Sequence, residues 1–129
     1  MDMLGIDPTV QRIRMDEGLG MVIRLMTETE PITYKSDWFE LNEAMLQLRP
    51  FTKPHMPIAV ASVQSPAGVQ VAGKHGAAVL TITTPRDPGN PQTDLDAIWA
   101  IAEESAAEHN QKVNLSLIHI SEPTRPRLI

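Results

Sequence analysis

The sequence predicts an α/β fold built from parallel strand–helix units, and three observations predict it. Two short runs, Ile58-Ala59-Val60-Ala61-Ser62 and Ala77-Ala78-Val79-Leu80-Thr81-Ile82, are almost wholly apolar, as strands covered on both faces of a parallel sheet are. Between them lies a helix-forming stretch opened by Ser65-Pro66 and closed by Gly76. An amphipathic stretch follows the second run, so the order is strand, helix, strand, helix, that of right-handed parallel units.

From the amino end, Asp7-Pro8 reads as a helix opening, because Asp accepts from free first-turn amides and Pro has no amide to leave unsatisfied. Ile13, Val22, Ile23, Leu25 and Met26 then recur among charges, giving a helix that reaches about Glu28 and is weakened locally by Gly18 and Gly20. Pro31 ends it. Ile32-Thr33-Tyr34-Lys35 and Trp38-Phe39-Glu40-Leu41 are rich in β-branched and aromatic residues around Ser36-Asp37, which predicts a hairpin. Residues 48–57 hold Pro50, Pro54 and Pro57, each lacking a backbone donor, and read as an extended connector.

In the helix after the first apolar run, Ala67, Val71 and Ala72 are apolar, and Gly76 stands where a left-handed cap belongs. Beyond the second run, Pro85, Pro88, Gly89, Asn90 and Pro91 make a loop. Thr93 or Asp94 then opens a helix with Leu95, Ile98, Ile101, Ala102 and Ala106 on its apolar side. Two such units are too few to close a barrel, which takes about eight strands, so the residues imply a piece of a larger sheet.

With 42% apolar residues in 129, a single compact unit is expected. The net charge of −5 comes with scattered basic residues and no Lys/Arg run, which argues against a nucleic-acid partner. The absence of cysteine removes disulfides, thiolate metal sites and cysteine nucleophiles together, and fits a cytoplasmic protein. No apolar run is long enough to cross a bilayer.

Other patterns carry less. Residues 68–75, Gly68-Val69-Gln70-Val71-Ala72-Gly73-Lys74-His75, nearly spell a phosphate-binding loop. His75 takes the place of the magnesium-binding Ser or Thr, however, and the residues fall inside a helix. His55, His75 and His109 form no close pair at metal spacing. Asp94, Asp96, Glu103, Glu104 and Glu108 read as the solvated face of the last helix. Trp38, Phe39 and Trp99 read as packing residues, with a substrate mouth as the alternative for Trp38.

Leu115-Ser116-Leu117-Ile118-His119-Ile120-Ser121-Glu122-Pro123-Thr124-Arg125 is similar to the conceptual translation of a transposon-type sequencing adapter. Residues 115–129 are therefore set apart as a non-native tail and 1–114 taken as the domain. The alternative reads residues 115–120 as a strand ended by Pro123.

Leu4-Gly5-Ile6-Asp7-Pro8 with Gln11-Arg12, Glu17 and Val22-Ile23-Arg24-Leu25, the residues 34–39, Leu48-Arg49-Pro50, Pro57-Ile58-Ala59-Val60-Ala61, and Ala72-Gly73-Lys74-His75-Gly76 stand in an order and spacing that resembles the luciferase-like, flavin-dependent monooxygenases. The resemblance covers roughly residues 4–113. It implies a fragment of a (β/α)8 TIM-type barrel with an inserted β-hairpin. It also implies chemistry in which reduced flavin and O2 place one oxygen atom in a small organic substrate, with no catalytic residue assigned in this stretch. The cofactor implied is FMN, with a deazaflavin as the alternative. Val60 and Ala61 would pass beside the flavin ring and the loop Ser62-Val63-Gln64-Ser65 would meet its phosphate, giving Val60, Ala61, Ser62, Val63 and Ser65 as the cofactor-binding set. Hydroxyls and free amides at a helix amino end suit an anion independently. Bacterial luciferase carries a carboxylate where Ser62 stands. A homo-oligomeric parent is left open, and the competing reading is a small interaction domain or an inert fragment with exposed sheet edges.

Overall fold

The computed structural model describes residues 7, 9–62, 65–82, 95–112 and 118–120. Where composition suggests one compact unit, the chain divides into two, Met1–Pro57 and Ile58–Ile129. The division falls at the end of the proline-punctuated connector, which forms neither strand nor helix because Pro50, Pro54 and Pro57 supply no backbone donor.

The first unit contains helix α1 (Gln11–Thr27) and strands β1 (Ile32–Lys35) and β2 (Glu40–Ala44). The helix does not open at Asp7-Pro8. The Asp7 carboxylate instead accepts from the Thr9 amide at 2.8 Å and the Thr9 hydroxyl at 2.7 Å. Those donors, the backbone amide first, hold its carboxyl below the usual range. Val10 becomes the N-cap without a side-chain bond. The helix passes unbroken through Gly18 and Gly20. Its buried apolar residues are Met21 and Met26, whereas Ile13 is 73% exposed and Val22 49%. The hairpin lies against the face that carries Glu17 and Gly18, and one turn on that face carries Met21.

The carboxyl end of α1 is closed by a residue from the connector. Arg49 donates from one guanidinium nitrogen to the Glu28 carbonyl and from the other to the Thr29 carbonyl, the latter at 3.0 Å. A cation is favoured among such carbonyls. Arg24 also forks onto the Glu28 carboxylate at 2.6 and 3.1 Å.

β1 and β2 pair antiparallel, as a hairpin must. β2 starts later than its composition suggests, because the Ser36 hydroxyl accepts from both the Trp38 and Phe39 amides at 3.2 Å. Those amides are thus taken up by the turn. The register steps from Ile32↔Ala44 to Tyr34↔Leu41, a bulge with one extra residue on β2. Glu43 sits there at φ 48.

The second unit contains β3 (Ala59–Ala61), α2 (Pro66–His75), β4 (Ala78–Ile82), α3 (Leu95–Glu108) and β5 (Ile118–Ile120). β3 and β4 are parallel neighbours, with Val60 opposite Val79. β4 pairs parallel with β5, giving the sheet order β3-β4-β5. The segment set apart on its sequence thus contributes backbone at 118–120 to the sheet, and the alternative strand reading describes those residues. The opening of α3 at Thr93 or Asp94 lies outside the described residues.

Both helices end in a left-handed residue. At α2, Gly76 has φ 64, and the amides of Ala77 and Gly76 donate to the carbonyls of Ala72 and Gly73 at 2.9 and 3.1 Å. At α3, Asn110 has φ 54 and the Gln111 amide donates to the Ala106 carbonyl at 2.8 Å. These are the bonds of a Schellman ending, which satisfies carbonyls the helix leaves free.

The two faces of the sheet are unequally covered among the described residues, although Ala78, beside Ala59 on the face away from α2, is buried. Val60, Val79 and Thr81 share the face under α2 and are buried, while Ala59 and Ala61 on the other face are exposed. Three strands cannot curl into the closed cylinder whose interior would cover the second face. α3 packs on α2, meeting it at Gly73, where a Cβ would lie 2.6 Å from the Ala102 carbonyl oxygen and 2.9 Å from the Ser105 Cβ. The buried Ser105 hydroxyl donates to the Gln70 carbonyl at 2.8 Å. Leu95 and Ile101 are only half-buried. No helix among the described residues is long and apolar enough to cross a membrane.

Candidate functional site

The site proposed from sequence lies where β3 gives way to α2. The ladder continues one residue past β3, since the Ser62 amide donates to the Leu80 carbonyl at 2.9 Å. Ser65 is the N-cap of α2 in extended conformation, with Pro66 in the first turn and no acidic residue there. The amino end of α2 is thereby set at the carboxyl end of a parallel strand, where a βα turn presents backbone amides and a positive dipole end.

The five residues named from sequence occupy different surroundings. Val60 is buried beneath α2, so its side chain is core, while Ala61 exposes its methyl on the opposite face. Ser62 is 6% exposed, and its hydroxyl donates to the Ser65 carbonyl at 2.7 Å. That carbonyl also accepts from the Gly68 amide at 3.2 Å. Ser65 is half-buried, and its side chain makes no capping bond. Val63 lies outside the described residues.

Gly68 shows how closely the first turn of α2 rests on the loop. A Cβ there would stand 2.9 Å from both the Cβ and the Oγ of Ser62, a separation real side chains do not tolerate. The near-match to a phosphate-binding loop at residues 68–75 is entirely helical. Its glycines permit close approach, Gly68 to Ser62 and Gly73 to α3.

In the first unit, Glu17 is the organising group, and sequence reasoning gave it no role. It accepts from the Tyr34 hydroxyl at 2.7 Å and from the Trp38 indole at 2.6 Å, one carboxylate oxygen each. The Arg14 guanidinium lies over the Trp38 ring, 5.4 Å from its centre, and Phe39 meets that ring edge-on at 4.7 Å. The partners are 17 and 21 residues from Glu17 in sequence, so no local pattern reveals them.

The remaining candidates stay apart. His55 contacts the Met56 carbonyl at 2.7 Å and His109 the Ser105 carbonyl at 2.8 Å, each through Nδ1. No group of three or more His, Cys, Asp or Glu among the described residues is arranged to hold a metal ion. Asp96, Glu103, Glu104 and Glu108 are exposed along α3, and Trp99 donates to Glu103 at 3.0 Å.

Comparison with known proteins decides the family. The profile of the luciferase-like monooxygenases matches residues 1–125. The chain belongs to the luciferase-like monooxygenase family. Within it, a 4-hydroxyprotoasukamycin monooxygenase of Streptomyces nodosus subsp. asukaensis is 46% identical over 114 residues, 88% of this chain and 31% of the relative. A limonene 1,2-monooxygenase of Rhodococcus erythropolis is 34% identical over 126 residues, 93% of this chain and 31% of the relative. The chain thus spans about a third of the length of these curated relatives.

Solved structures agree on the fold of the family. An F420-dependent secondary alcohol dehydrogenase in complex with an F420-acetone adduct aligns with a TM-score of 0.68 at 23% identity, covering 88% of this chain and 32% of that one. The monooxygenase RslO1 from Streptomyces bottropensis aligns at 0.64 and 23% identity, covering 85% and 32%. The α/β architecture is accordingly that of one portion of a (β/α)8 TIM-type barrel.

Proposed function

We propose that the full-length protein is a flavin-dependent monooxygenase, with the turn between β3 and α2 receiving the flavin phosphate. The observation that carries this reading is the junction itself. A helix amino end with no side-chain cap bond and no acidic residue in its first turn comes after the carboxyl end of a parallel strand, the edge where open and closed α/β sheets take their ligands.

The residues present fit such a group. The Ser65 hydroxyl makes no bond within the helix cap, and the Ala67 amide belongs to the first turn, whose donors lack intrahelical acceptors. Both suit phosphate oxygens. Ser62 works through Ser65: its hydroxyl proton is spent on the Ser65 carbonyl, which fixes the turn from which the helix departs. Ala61 offers a small exposed methyl beside the same edge, leaving room for a planar ring, and Val60 anchors the strand from beneath.

Reduced flavin, when bound, supplies the electrons with which O2 is activated for insertion into substrate. The protein's share is to hold the anionic end and orient the ring at a sheet edge. FMN is the cofactor proposed. The deazaflavin alternative draws on the F420-dependent dehydrogenase that shares the fold. The curated relatives are named for oxygenation of limonene and of 4-hydroxyprotoasukamycin, so an organic substrate with O2 as co-substrate is proposed here.

The test is turnover of the full-length protein with reduced FMN, isotopically labelled O2 and a panel of organic substrates that includes limonene and 4-hydroxyprotoasukamycin. Product carrying one labelled oxygen is expected. Oxidised product without label, formed with a deazaflavin, would overturn the monooxygenase reading in favour of a dehydrogenase.

A further inference from the structure

The chain has no cysteine and seven methionines, so thioethers are its only sulfur groups. Those that the structure describes fall into two classes. Met21 and Met26 are 7% and 9% exposed in the core of the first unit, whereas Met15, Met45 and Met56 are 38%, 46% and 54% exposed. Oxidation of a thioether follows its access to oxidant, and the sulfoxide it forms is polar, harmless in water and disruptive in a core.

Location sharpens the contrast. Met45 and Met56 stand in residues 45–57, where no residue forms strand or helix, so a sulfoxide there breaks no ladder. Met15 lies in α1 with its side chain partly in solvent. Met21 and Met26 share that helix but support its packing. Peroxide that reached them would place a polar oxygen where an apolar group is buried.

We propose that Met15, Met45 and Met56 are sulfoxidation sites that take up hydrogen peroxide ahead of the buried pair. Each event transfers one oxygen: the peroxide O–O bond breaks, an S–O bond forms, the sulfur is oxidised by two electrons, and the peroxide is reduced to water. The source of peroxide rests on the monooxygenase reading, since O2 reduced by flavin without substrate capture yields hydrogen peroxide and oxidised flavin. The selectivity among methionines rests on burial alone.

Full-length protein treated with dilute hydrogen peroxide and digested for mass spectrometry gives the first readout. Sulfoxide at Met15, Met45 and Met56 is expected several-fold ahead of Met21 and Met26, and equal rates would overturn the proposal. With peroxide limiting, the triple variant Met15→Leu, Met45→Leu, Met56→Leu is expected to increase oxidation of Met21 and Met26; an unchanged extent would overturn the proposal that the exposed sulfurs take up peroxide first. In a second arm, reduced FMN and O2 are supplied without organic substrate, with and without catalase, and peroxide is assayed separately. Peroxide without modification of the three sites overturns the proposal. Modification of the three sites that catalase does not suppress overturns free peroxide as the oxidant, while the first arm still decides the selectivity.

Discussion

The indole nitrogen of Trp38 donates to the Glu17 carboxylate at 2.6 Å while Tyr34 takes the other oxygen at 2.7 Å, so one side chain of α1 holds both a strand and the turn of the hairpin. Charge-assisted bonds of this kind contribute about 1.5–3 kcal/mol. Glu17→Ala is therefore expected to destabilise the full-length protein by about 2 kcal/mol in denaturant unfolding. Glu17→Gln should do less harm, because its carbonyl still accepts from the indole and its amide can donate to the phenol oxygen. Equal losses for the two variants would show that the pairing is not what matters.

The same contact sets a pH dependence. The hydrogen bond to Glu17 raises the Tyr34 phenol above its ordinary value near 10. A raised folded-state value means that the contribution is complete below the ordinary value and is lost as pH rises through the folded one. The difference titration between the wild type and Tyr34→Phe should show tyrosinate appearing later than for free tyrosine. Appearance at the ordinary value would mean that the bond is absent in solution.

Gly73 predicts a steric penalty that outweighs helix propensity. Alanine at an ordinary helix interior gains about 1 kcal/mol over glycine, yet here its Cβ would meet the Ala102 carbonyl oxygen at 2.6 Å. Overpacking costs about 1–3 kcal/mol, so Gly73→Ala should lower the thermal midpoint. A midpoint that rises would mean that α2 and α3 are not in contact there.

The isolated 129-residue chain should associate. β3 and β5 are edge strands, and Ala59 and Ala61 face outward beside them, with Leu48 87% and Phe51 101% exposed in the first unit. Unpaired edges and apolar surface favour aggregation. Light scattering and dye binding are expected to report it, and a cooperative thermal transition in a soluble monomer would contradict it.

The unit from β3 to β4 was legible because its signals are local: apolar runs for the strands, Ser65-Pro66 and Gly76 for the helix ends. Errors arose where a side chain spends its hydrogen bonds differently from its usual habit. Asp7 turns to Thr9 instead of capping α1, and Ser36 draws Trp38 and Phe39 into the turn. Arg49 closing α1 and Glu17 joining helix to hairpin depend on partners about twenty residues away, which no periodicity encodes. At the candidate site the sequence foretold a helix amino end after a parallel strand, but not that Ser62 is inward and already committed to Ser65.

Binding of FMN and of riboflavin, compared in the full-length protein and its Ser62→Ala and Ser65→Ala variants, tests the phosphate assignment most directly. Losing one charge-assisted bond costs about 1.5–3 kcal/mol, so Ser65→Ala should weaken FMN by roughly tenfold or more and leave riboflavin unchanged. Ser62→Ala should act in the same direction through the loosened turn. Unchanged FMN affinity, or an equal loss for both flavins, would contradict a phosphate held at the amino end of α2.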